Sequence, residues 1–427
     1  MQENQNKWWL PLLFAMILII GIIIGAFLKG NGSFSAFSSK QTPFDEISHL
    51  IKTKYVEEVN LDSVNKEVIT NYLSQLDPHS VYIAPEDLQE VNEQMTPNYK
   101  GIGIEFQMLR DSVFVTYVVP SGPAFKAGMM VGDIILTLND SIKLSGAHLQ
   151  SDLIRKQIKS GKEDKVLLNI KRKSSVLKLQ LEKANVPMSP IDAFYKINDS
   201  IGYIKIGRFA ERTYENFMQA LDTLTNNGIK GLVIDLRGNG GGLLSEAVAI
   251  ADELIAGNHL IVYTEGVHST KVNYFSKREG LFEQGPISIL IDETSASASE
   301  VLAGALQDLD RATIVGRTSF GKGLVQQQFR LSNGGAVRLT TAKYFTPLGR
   351  NIQRSYAKGK LLYEHDFMNR LEEDAKGQAD PEKKGEAFKT AKGKVVYGGG
   401  GIYPDVWMNE FNLFIDSNYI KLYEHNL

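Results

Sequence analysis

The stretch PISILIDETSASASEVLAGALQDL, residues 286–309, joins a strand pattern directly to a helix pattern. Its first seven residues form an apolar-rich run of the kind that marks a buried strand. From Val301 to Leu309 apolar residues return at helical spacing, which predicts an amphipathic helix. The junction carries three alternating serines, the middle one being Ser297. A buried strand that runs into a helix is typical of α/β proteins.

The same alternation of strand and helix patterns precedes this stretch. IGYIKIGRF is followed by TYENFMQALDTLTNNG, and KGLVIDLR is followed by LLSEAVAIADELIAG, with the glycine-rich GNGGG between the last two. The nearly continuous apolar character of KGLVIDLR favours a parallel strand covered on both faces. With 427 residues and 43% hydrophobic residues, the chain is too long for one ordinary domain. We therefore predict a multidomain α/β protein.

Ser297 has two interpretations at this junction. A serine at a helix N-terminus lies beside free backbone N–H groups at the positive end of the helix dipole. It could act there as a nucleophile, because the same groups stabilise negative charge on a substrate carbonyl. Alternatively, Ser297-Ala298-Ser299-Glu300 reads as a capping box, S-x-x-E. These four residues alone favour the cap.

Lys322 lies further along, in SFGKGLV, flanked by glycines and apolar residues. A lysine acts as a general base only when it is neutral, and burial lowers its pKa towards that state. The alternative is a lysine in an ordinary surface turn. Gly316 to Lys322 also fits G-x-x-x-x-G-K, most of a phosphate-binding loop, but Gly323 stands where Ser or Thr should hold magnesium, and a strand pattern follows instead of a helix. Nucleotide binding is therefore disfavoured.

Residues 99–185 have a different texture, in which short apolar strands alternate with Gly and Pro turns. This pattern predicts a small β-rich module. At its start, Gly101, Ile102, Gly103 and Ile104 could present backbone N–H groups to the carboxylate of a peptide that pairs with the strand edge. The alternative is a glycine bulge in a plain hairpin.

The N-terminal run WWLPLLFAMILIIGIIIGAFL, residues 8–28, contains no charge. As a helix it would reach roughly 30 Å, the thickness of a bilayer core, which predicts a single membrane span. A cleaved signal peptide is the alternative. The net charge of −2 gives no case for nucleic acid, and the absence of cysteine excludes thiol catalysis and Cys-type zinc sites. Residues 355–394 are rich in charge and predict a solvated insertion with one short helix, from Leu361 to Lys376.

Several motifs in order resemble one family, the C-terminal processing peptidases, also called tail-specific proteases. They are LDPHSVY, GIGIEF, PAFKAGMMVGDIILTLN, DLRGNGGGLL, SASASE, AGALQD, GRTSFGKGLVQ, TPLGRNIQ and GIYPDV. The resemblance covers about residues 44–354 and again 401–406. It departs from the family at Gly240, where Pro is frequent, and in the insertion that separates GRNIQ from GIYPD.

The resemblance implies a serine peptidase with a Ser–Lys dyad. Ser297 would be the nucleophile, Lys322 the base and Gln326 the residue that orients the lysine, while the backbone N–H groups of Ala298 and Gly241 would form the oxyanion hole. Spacing alone does not suggest Gln326, since four strand residues span about 13 Å and the chain would have to turn. The resemblance implies no metal and no cofactor. The seven histidines lie outside these assignments.

The resemblance also implies a crotonase- or Clp-protease-like α/β peptidase core with an inserted PDZ domain, whose loop Gly101 to Ile104 binds the substrate's C-terminus. The predicted segments are a cytoplasmic tail (1–7), a transmembrane signal anchor (8–28), a linker (29–42), an N-terminal helical segment (43–98), the PDZ domain (99–185), the peptidase core (186–354 and 395–427) and the charged insertion (355–394).

We thus expect a membrane-anchored endopeptidase whose substrates are proteins or peptides with exposed C-termini. Its location would be a bacterial inner membrane, crossed once, with the catalytic part in the periplasm. Assembly into a homo-oligomer is compatible with this expectation. The alternative is a catalytically silent, membrane-anchored PDZ scaffold that binds peptides.

Overall fold

A computed structural model describes residues 9–28, 42–93, 95–96, 98–109, 111–144, 154–155, 157–158, 164–375 and 385–408. The chain forms two compact units, Met1–Glu67 and Val68–Leu427. The second unit holds every sheet described below.

The first unit contains helices α1 (Leu10–Leu28) and α2 (Pro43–Lys54), and α3 (Leu61–Ser74) runs across its boundary. Helix α2 begins at a capping box, in which Thr42 and Asp45 exchange hydrogen bonds. No helix within the described residues is long and apolar enough to cross a membrane; the side chains of α1 are described at 12–21 alone. The predicted tail at 1–7 and the predicted linker up to residue 41 lie outside the described residues.

The remaining elements follow in chain order. The helices are α4 (Pro85–Glu93), α5 (Pro123–Lys126), α6 (Thr213–Asn226), α7 (Leu244–Asp252), α8 (Ala298–Asp308) and α9 (Lys360–Ala375). The strands are β1 (Val81–Ile83), β2 (Asn98–Gly101), β3 (Ile104–Leu109), β4 (Ser112–Val118), β5 (Ile134–Leu138), β6 (Ile142–Lys143), β7 (Lys165–Arg172), β8 (Ser175–Glu182), β9 (Ala184–Pro187), β10 (Ile191–Lys196), β11 (Ile201–Ile206), β12 (Gly231–Asp235), β13 (Leu260–Gly266), β14 (Ser269–Phe275), β15 (Ile287–Ile291), β16 (Thr313–Gly316), β17 (Leu324–Arg330), β18 (Ala336–Phe345), β19 (Ala387–Lys389), β20 (Val395–Tyr397) and β21 (Val406–Trp407).

The α/β core is built on a six-stranded sheet in the order β10–β11–β12–β15–β16–β21. In this sheet β11, β12, β15, β16 and β21 pair in parallel, and β10 pairs antiparallel with β11 at the edge. The central strands β12 and β15 are rich in buried apolar residues, as expected for parallel strands covered on both faces. This sheet confirms the α/β core that the sequence predicts.

A second, antiparallel sheet contains β1, β18, β13 and β14, with β17 paired to the other side of β18. Helix α8 contacts β16 of the first sheet and β13 of the second, and all eleven of its residues are buried. A helix that is buried all round needs apolar and small residues on every face, which explains the composition AGAL within it. The helix that follows Ser297 therefore lies between the two sheets.

The β-rich module is a separate domain with its own buried core, which includes Val113, Ile135, Leu168 and Ile170. Its antiparallel sheet has the order β3–β4–β5–β7–β8, with β6 beside β5, so that β3 is an edge strand. Strands β2 and β9 pair with each other where the chain enters and leaves the module.

The sequence prediction was incomplete at two places. The N-terminal helical segment at 43–98 also contains β1, which pairs with β18 of the second sheet. The insertion was predicted as a solvated segment, but its helix α9 carries buried Tyr363 and half-buried Phe367. These two side chains lie one helical turn apart and therefore share one face of the helix. That face is packed against the protein although the segment as a whole is rich in charged residues.

Candidate active site

Ser297 stands at the sharp turn between β15 and α8, with φ 55° and ψ −112°. A residue other than glycine at positive φ costs about 1–3 kcal/mol and persists only where its surroundings enforce it. The two neighbouring serines supply part of that enforcement. The hydroxyl of Ser295 donates to the carbonyl of Leu236 at 2.8 Å, and that of Ser299 donates to the carbonyl of Asn239 at 2.9 Å. Ser295 and Ser299 thus bind the turn to the chain segment that contains the glycine loop.

Gly241 lies directly against this turn. A Cβ atom at Gly241 would fall 2.5 Å from the carbonyl oxygen of Ala296 and 2.8 Å from Cβ of Ser297, and its φ of 93° also requires glycine. The backbone N–H of Gly241 donates to Asn239 Oδ1 at 2.9 Å. Ala298 is the first residue of α8, where backbone N–H groups have no partner within the helix. Both predicted oxyanion donors therefore border Ser297, and that of Gly241 is engaged inside its own loop.

Glu300 connects the serine turn to the lysine loop. Its carboxylate oxygen Oε2 accepts the backbone N–H groups of Ser297, at 2.8 Å, and of Lys322, at 2.9 Å. The other oxygen accepts the N–H of Gly321 at 2.7 Å and the hydroxyl of Ser319 at 2.5 Å. The bond to Ser297 is the glutamate half of the capping box that the sequence allows, and the remaining three bonds extend it to a distant segment. Burial raises the pKa of Glu300, while these four hydrogen bonds act to lower it.

Tyr344, on β18, joins the same two segments through their carbonyl groups. Its hydroxyl lies 3.1 Å from the carbonyl oxygen of Ser297 and 2.6 Å from that of Lys322. The side chain is 2% exposed, and burial raises its pKa well above the usual value. Glu300 and Tyr344 together hold the backbones of Ser297 and Lys322 side by side.

The amine of Lys322 donates to Gln326 Oε1 at 2.9 Å. The amide nitrogen of Gln326 donates in turn to the carbonyl of His79 at 2.5 Å, which fixes the amide so that its oxygen faces the lysine. A β-bulge between Val325 and Gln326 shifts the register of β17. The chain therefore departs from a regular strand between Lys322 and Gln326, as their contact requires. No hydrogen bond joins Lys322 Nζ to the hydroxyl of Ser297 among the bonds of the described residues.

Burial lowers the pKa of Lys322, and the charge of Arg338 lowers it further. The carboxylates of Glu300 and Asp77 act in the opposite direction. Burial and the charge of Lys322 lower the pKa of His79 to about 4, so this imidazole is neutral near pH 7. Desolvation thus disfavours the ammonium form of Lys322, as a general base requires.

The turn at 76–80 brings His79 to the lysine. Asp77 accepts the backbone N–H groups of His79 and Ser80, both at 2.8 Å, and the hydroxyl of Ser80 at 2.6 Å. Sequence reasoning left His79 outside the site. Glu300 was visible as part of S-x-x-E, whereas neither periodicity nor spacing pointed to Tyr344 or to the His79 carbonyl.

The predicted peptide-binding loop lies in the β-rich module, far along the chain from Ser297 and Lys322. Gly101 ends β2, Ile104 begins the edge strand β3, and Gly103 has φ 76°. The carbonyls of Ile102 and Gly103 accept N–H groups from Ala124 and Val119, at 2.8 and 3.0 Å. The loop is therefore held to its own module through carbonyl oxygens, next to the edge strand β3. Within the described residues no group of three or more His, Asp or Glu side chains could hold a metal ion.

The sequence matches two family models, Peptidase family S41 over residues 200–359 and the PDZ domain over residues 101–182. The Carboxy-terminal-processing protease of Bartonella bacilliformis is 34% identical over 315 residues, which cover 73% of this chain and 72% of that protein. The Carboxy-terminal processing protease CtpB of Bacillus subtilis is 32% identical over 327 residues, covering 75% of this chain and 67% of that protein.

Among solved structures, the putative S41 protease from Bacteroides fragilis superimposes with a TM-score of 0.53 at 14% identity, over 90% of this chain and 93% of that one. At that identity the likeness concerns the fold. Sequence identity over most of both chains, together with the two family matches, shows that this chain belongs to peptidase family S41 and is a serine-type C-terminal processing peptidase with a PDZ domain.

Proposed function

We propose that this peptidase is anchored in the membrane by its N-terminal helix and cleaves protein chains with a Ser297–Lys322 dyad after its PDZ domain has captured their C-terminal tails. The observation that carries the dyad is the double connection between the two residues, through Glu300 at their N–H groups and through Tyr344 at their carbonyls. A strained serine beside a desolvated lysine is the arrangement that nucleophilic catalysis needs.

In the proposed reaction, neutral Lys322 removes the proton of the Ser297 hydroxyl while Oγ attacks the peptide carbonyl. The ammonium then gives that proton to the leaving amine, and an ester links the substrate to Ser297. The lysine then removes a proton from water as the water attacks the ester. The bond between the acyl group and Ser297 Oγ breaks, the ammonium returns the proton to Oγ, and the acid product leaves. Gln326 positions Lys322 between these steps, because it accepts a hydrogen bond from the amine at 2.9 Å.

The amine must leave or share this bond in order to reach Ser297. Catalytic hydrogen bonds of resting enzymes are frequently long and tighten when the substrate is in place. Stabilising the oxyanion requires a similar exchange. The N–H of Gly241 would release Asn239 Oδ1 and donate to the substrate's carbonyl oxygen, where negative charge develops. Ala298 would provide the second donor from the first turn of α8.

Tail capture would use the edge strand β3, to which an extended peptide can add as a further strand. The terminal carboxylate would lie at the loop Gly101 to Ile104. The apolar run at 8–28 would hold the enzyme in a bacterial inner membrane, with residues 1–7 in the cytoplasm and the catalytic part in the periplasm.

The test uses the full chain purified in detergent, an unfolded protein substrate and no ATP. Cleavage should occur, and both Ser297→Ala and Lys322→Ala should abolish it. A serine-directed fluorophosphonate should label the parent more strongly than Ser297→Ala or Lys322→Ala. If both alanine variants cleave as fast as the parent, the dyad assignment is wrong.

Capture and anchoring need separate measurements. A peptide with a free C-terminus should bind more tightly than its C-terminally amidated twin, and equal affinities would refute capture at the loop. Extraction of membranes with alkaline carbonate should leave the full chain in the pellet, while a chain without residues 1–30 should be released.

A further inference from the structure

Helix α9, in the charged insertion, has one face that is not exposed. Between residues 361 and 370 every side chain is exposed except those of Tyr363, Phe367 and Arg370, which follow the i, i+4, i+7 spacing of a single helix face. We name these three residues the α9 stripe. The opposite face carries solvent-exposed apolar residues, such as Met368, which is 54% exposed.

The α9 stripe packs on the segment that leads into Lys322. The guanidinium of Arg370 donates to the carbonyls of Thr318 and Ser319, at 3.3 and 2.9 Å. The ring of Phe367 lies 5.0 Å from that of Phe320, centroid to centroid. The side chain of Phe320 thus contacts α9. Its backbone N–H donates to the carbonyl of Ser295, next to the serine turn.

The stripe also reaches the support of Gln326. The hydroxyl of Tyr363 lies 3.2 Å from Nε2 of His79, the residue whose carbonyl holds the Gln326 amide. The guanidinium of Arg354 lies over the Tyr363 ring, 4.1 Å from its centroid. The backbone N–H of Arg354 donates to the carbonyl of Gly321, the residue before the lysine, at 2.8 Å. The helix therefore touches both chain segments that position the lysine side chain.

We propose that the α9 stripe is a positioning element for Lys322, which keeps the loop 318–321 and the His79 carbonyl in the arrangement that buries the lysine amine and aims it at Gln326. The proposal rests on the proposed function, since it assigns the insertion a role in the same dyad. The residues of the stripe act through the loop and do not touch the reacting atoms.

The lysine has charged and titratable neighbours on every side. Arg338 faces it from β18, Glu300 from α8, and Asp77 and His79 from the turn before β1. Because His79 has a pKa of about 4, it stays neutral above about pH 5. If the loop loosens, water reaches the amine, the ammonium form becomes more favourable and the base is protonated over a wider range of pH.

The experiment measures kcat/KM for a quenched fluorescent peptide from about pH 5 to about pH 10, with the full chain in detergent. The variants are Phe367→Ala and Arg370→Ala, singly and combined, with Met368→Ala on the exposed face as the matched control. We expect the acid limb of the profile to move up by about one pH unit in the double variant, with about tenfold less activity near pH 7 and recovery at alkaline pH. Phe367→Leu and Arg370→Lys should keep most of the parent's profile.

Active-site titration with a fluorophosphonate separates this effect from simple loss of folded enzyme. A shifted limb at an unchanged titratable fraction supports the proposal. A double variant that matches Met368→Ala, or one that loses activity equally at every pH, overturns it. If Ser297→Ala and Lys322→Ala remain active in the same assay, the proposed dyad itself fails; if they are inactive while the stripe variants behave as the control does, the fault lies with the role of α9 alone.

Discussion

At the scale of single residues, Glu300 accepts hydrogen bonds from backbone N–H groups of the serine turn and the lysine loop. Backbone N–H groups at a helix start and in a glycine-flanked loop lack backbone partners, and leaving them buried without acceptors would cost about 1–3 kcal/mol each. One carboxylate, 1% exposed, accepts three such N–H groups and one hydroxyl. The donors favour the charged form of the carboxylate, in opposition to the burial that raises its pKa, and the carboxylate holds the serine and lysine segments together.

Replacing Glu300 by Gln tests this dual role. An amide presents an NH₂ group to N–H groups that are themselves donors, so at least one buried donor loses its acceptor. We expect Glu300→Gln to lower the free energy of unfolding by about 2 kcal/mol and kcat by about a hundredfold. Chemical denaturation and peptide hydrolysis provide the two measurements. Glu364→Gln, on the exposed side of α9, is the control, and an equally active, equally stable Glu300→Gln would contradict the assignment.

The glycine loop offers two adjacent positions that differ both in the room for a methyl group and in backbone conformation. A methyl group at Gly241 would meet the carbonyl of Ala296 at 2.5 Å and requires a φ of 93°, whereas a methyl group at Gly240 has no atom within 4 Å. Gly241→Ala should therefore lower kcat at least a hundredfold through displacement of the Ser297 turn, and Gly240→Ala should stay within about threefold of the parent. Steady-state kinetics on one peptide decides this; equal effects at the two positions would show that the contact with Ser297 is unimportant.

At the scale of elements, the bulge in β17 places Gln326 against Lys322 of the proposed dyad. The register shift between Val325 and Gln326 lets Gln326 meet Lys322, while Gln327, the next residue, is exposed. Bulges redirect side chains in this way at many active sites. The bulge also explains why a residue four positions from the lysine can contact it although a regular strand would carry it away.

Gln326→Glu predicts a change in pH dependence with a definite sign. A carboxylate next to the amine favours the ammonium form and raises the pKa of Lys322, opposite to the lowering that burial causes. Since the proposed dyad requires neutral lysine, the acid limb of kcat/KM should move to higher pH, and activity near pH 7 should fall about tenfold for each unit of that movement. Gln327→Glu adds the same charge outside the site and should leave the limb in place. A limb that moves to lower pH in Gln326→Glu would refute a role for neutral Lys322.

At the scale of the whole molecule, the PDZ domain is inserted into the peptidase through one pair of strands. Gly101 at the end of β2 is the register partner of Ala184 at the start of β9, so the two connections to the domain lie next to each other. The domain also has a buried core of its own. Such an insertion can be removed without cutting the layers that hold Ser297 and Lys322.

This arrangement predicts that the domain can be excised. A chain in which an Asn-Gly turn replaces residues 102–183 should retain the core's cooperative thermal unfolding and cleave short peptides within about threefold of the parent's kcat. It should lose the preference for substrates with a free C-terminus, measured as the ratio of kcat/KM for free and amidated peptides. A retained preference would place tail recognition outside the PDZ domain.

The sequence by itself determined the features that depend on neighbours along the chain. Apolar runs and helical periodicity fixed β12, β15 and α8, and the strand-to-helix junction fixed a serine at a helix start. The order of motifs identified the family and singled out Ser297, Lys322 and Gly241. Each motif is local, because a turn, a cap or a glycine at positive φ is dictated within a few residues, whereas the resemblance to the family comes from the order of the motifs along the chain.

Tertiary structure alone decided what surrounds those residues. The burial that lowers the pKa of Lys322, the bond from Gln326 to the His79 carbonyl, the bridge through Tyr344 and the docking of α9 all join segments that are distant in the sequence. A hydrogen bond across 247 residues, such as that between Gln326 and His79, leaves no periodic trace in either segment. Charge around α9 pointed to solvent, yet three side chains on one face were enough to pack it, because burial is set by which surfaces meet and not by the average composition of a segment.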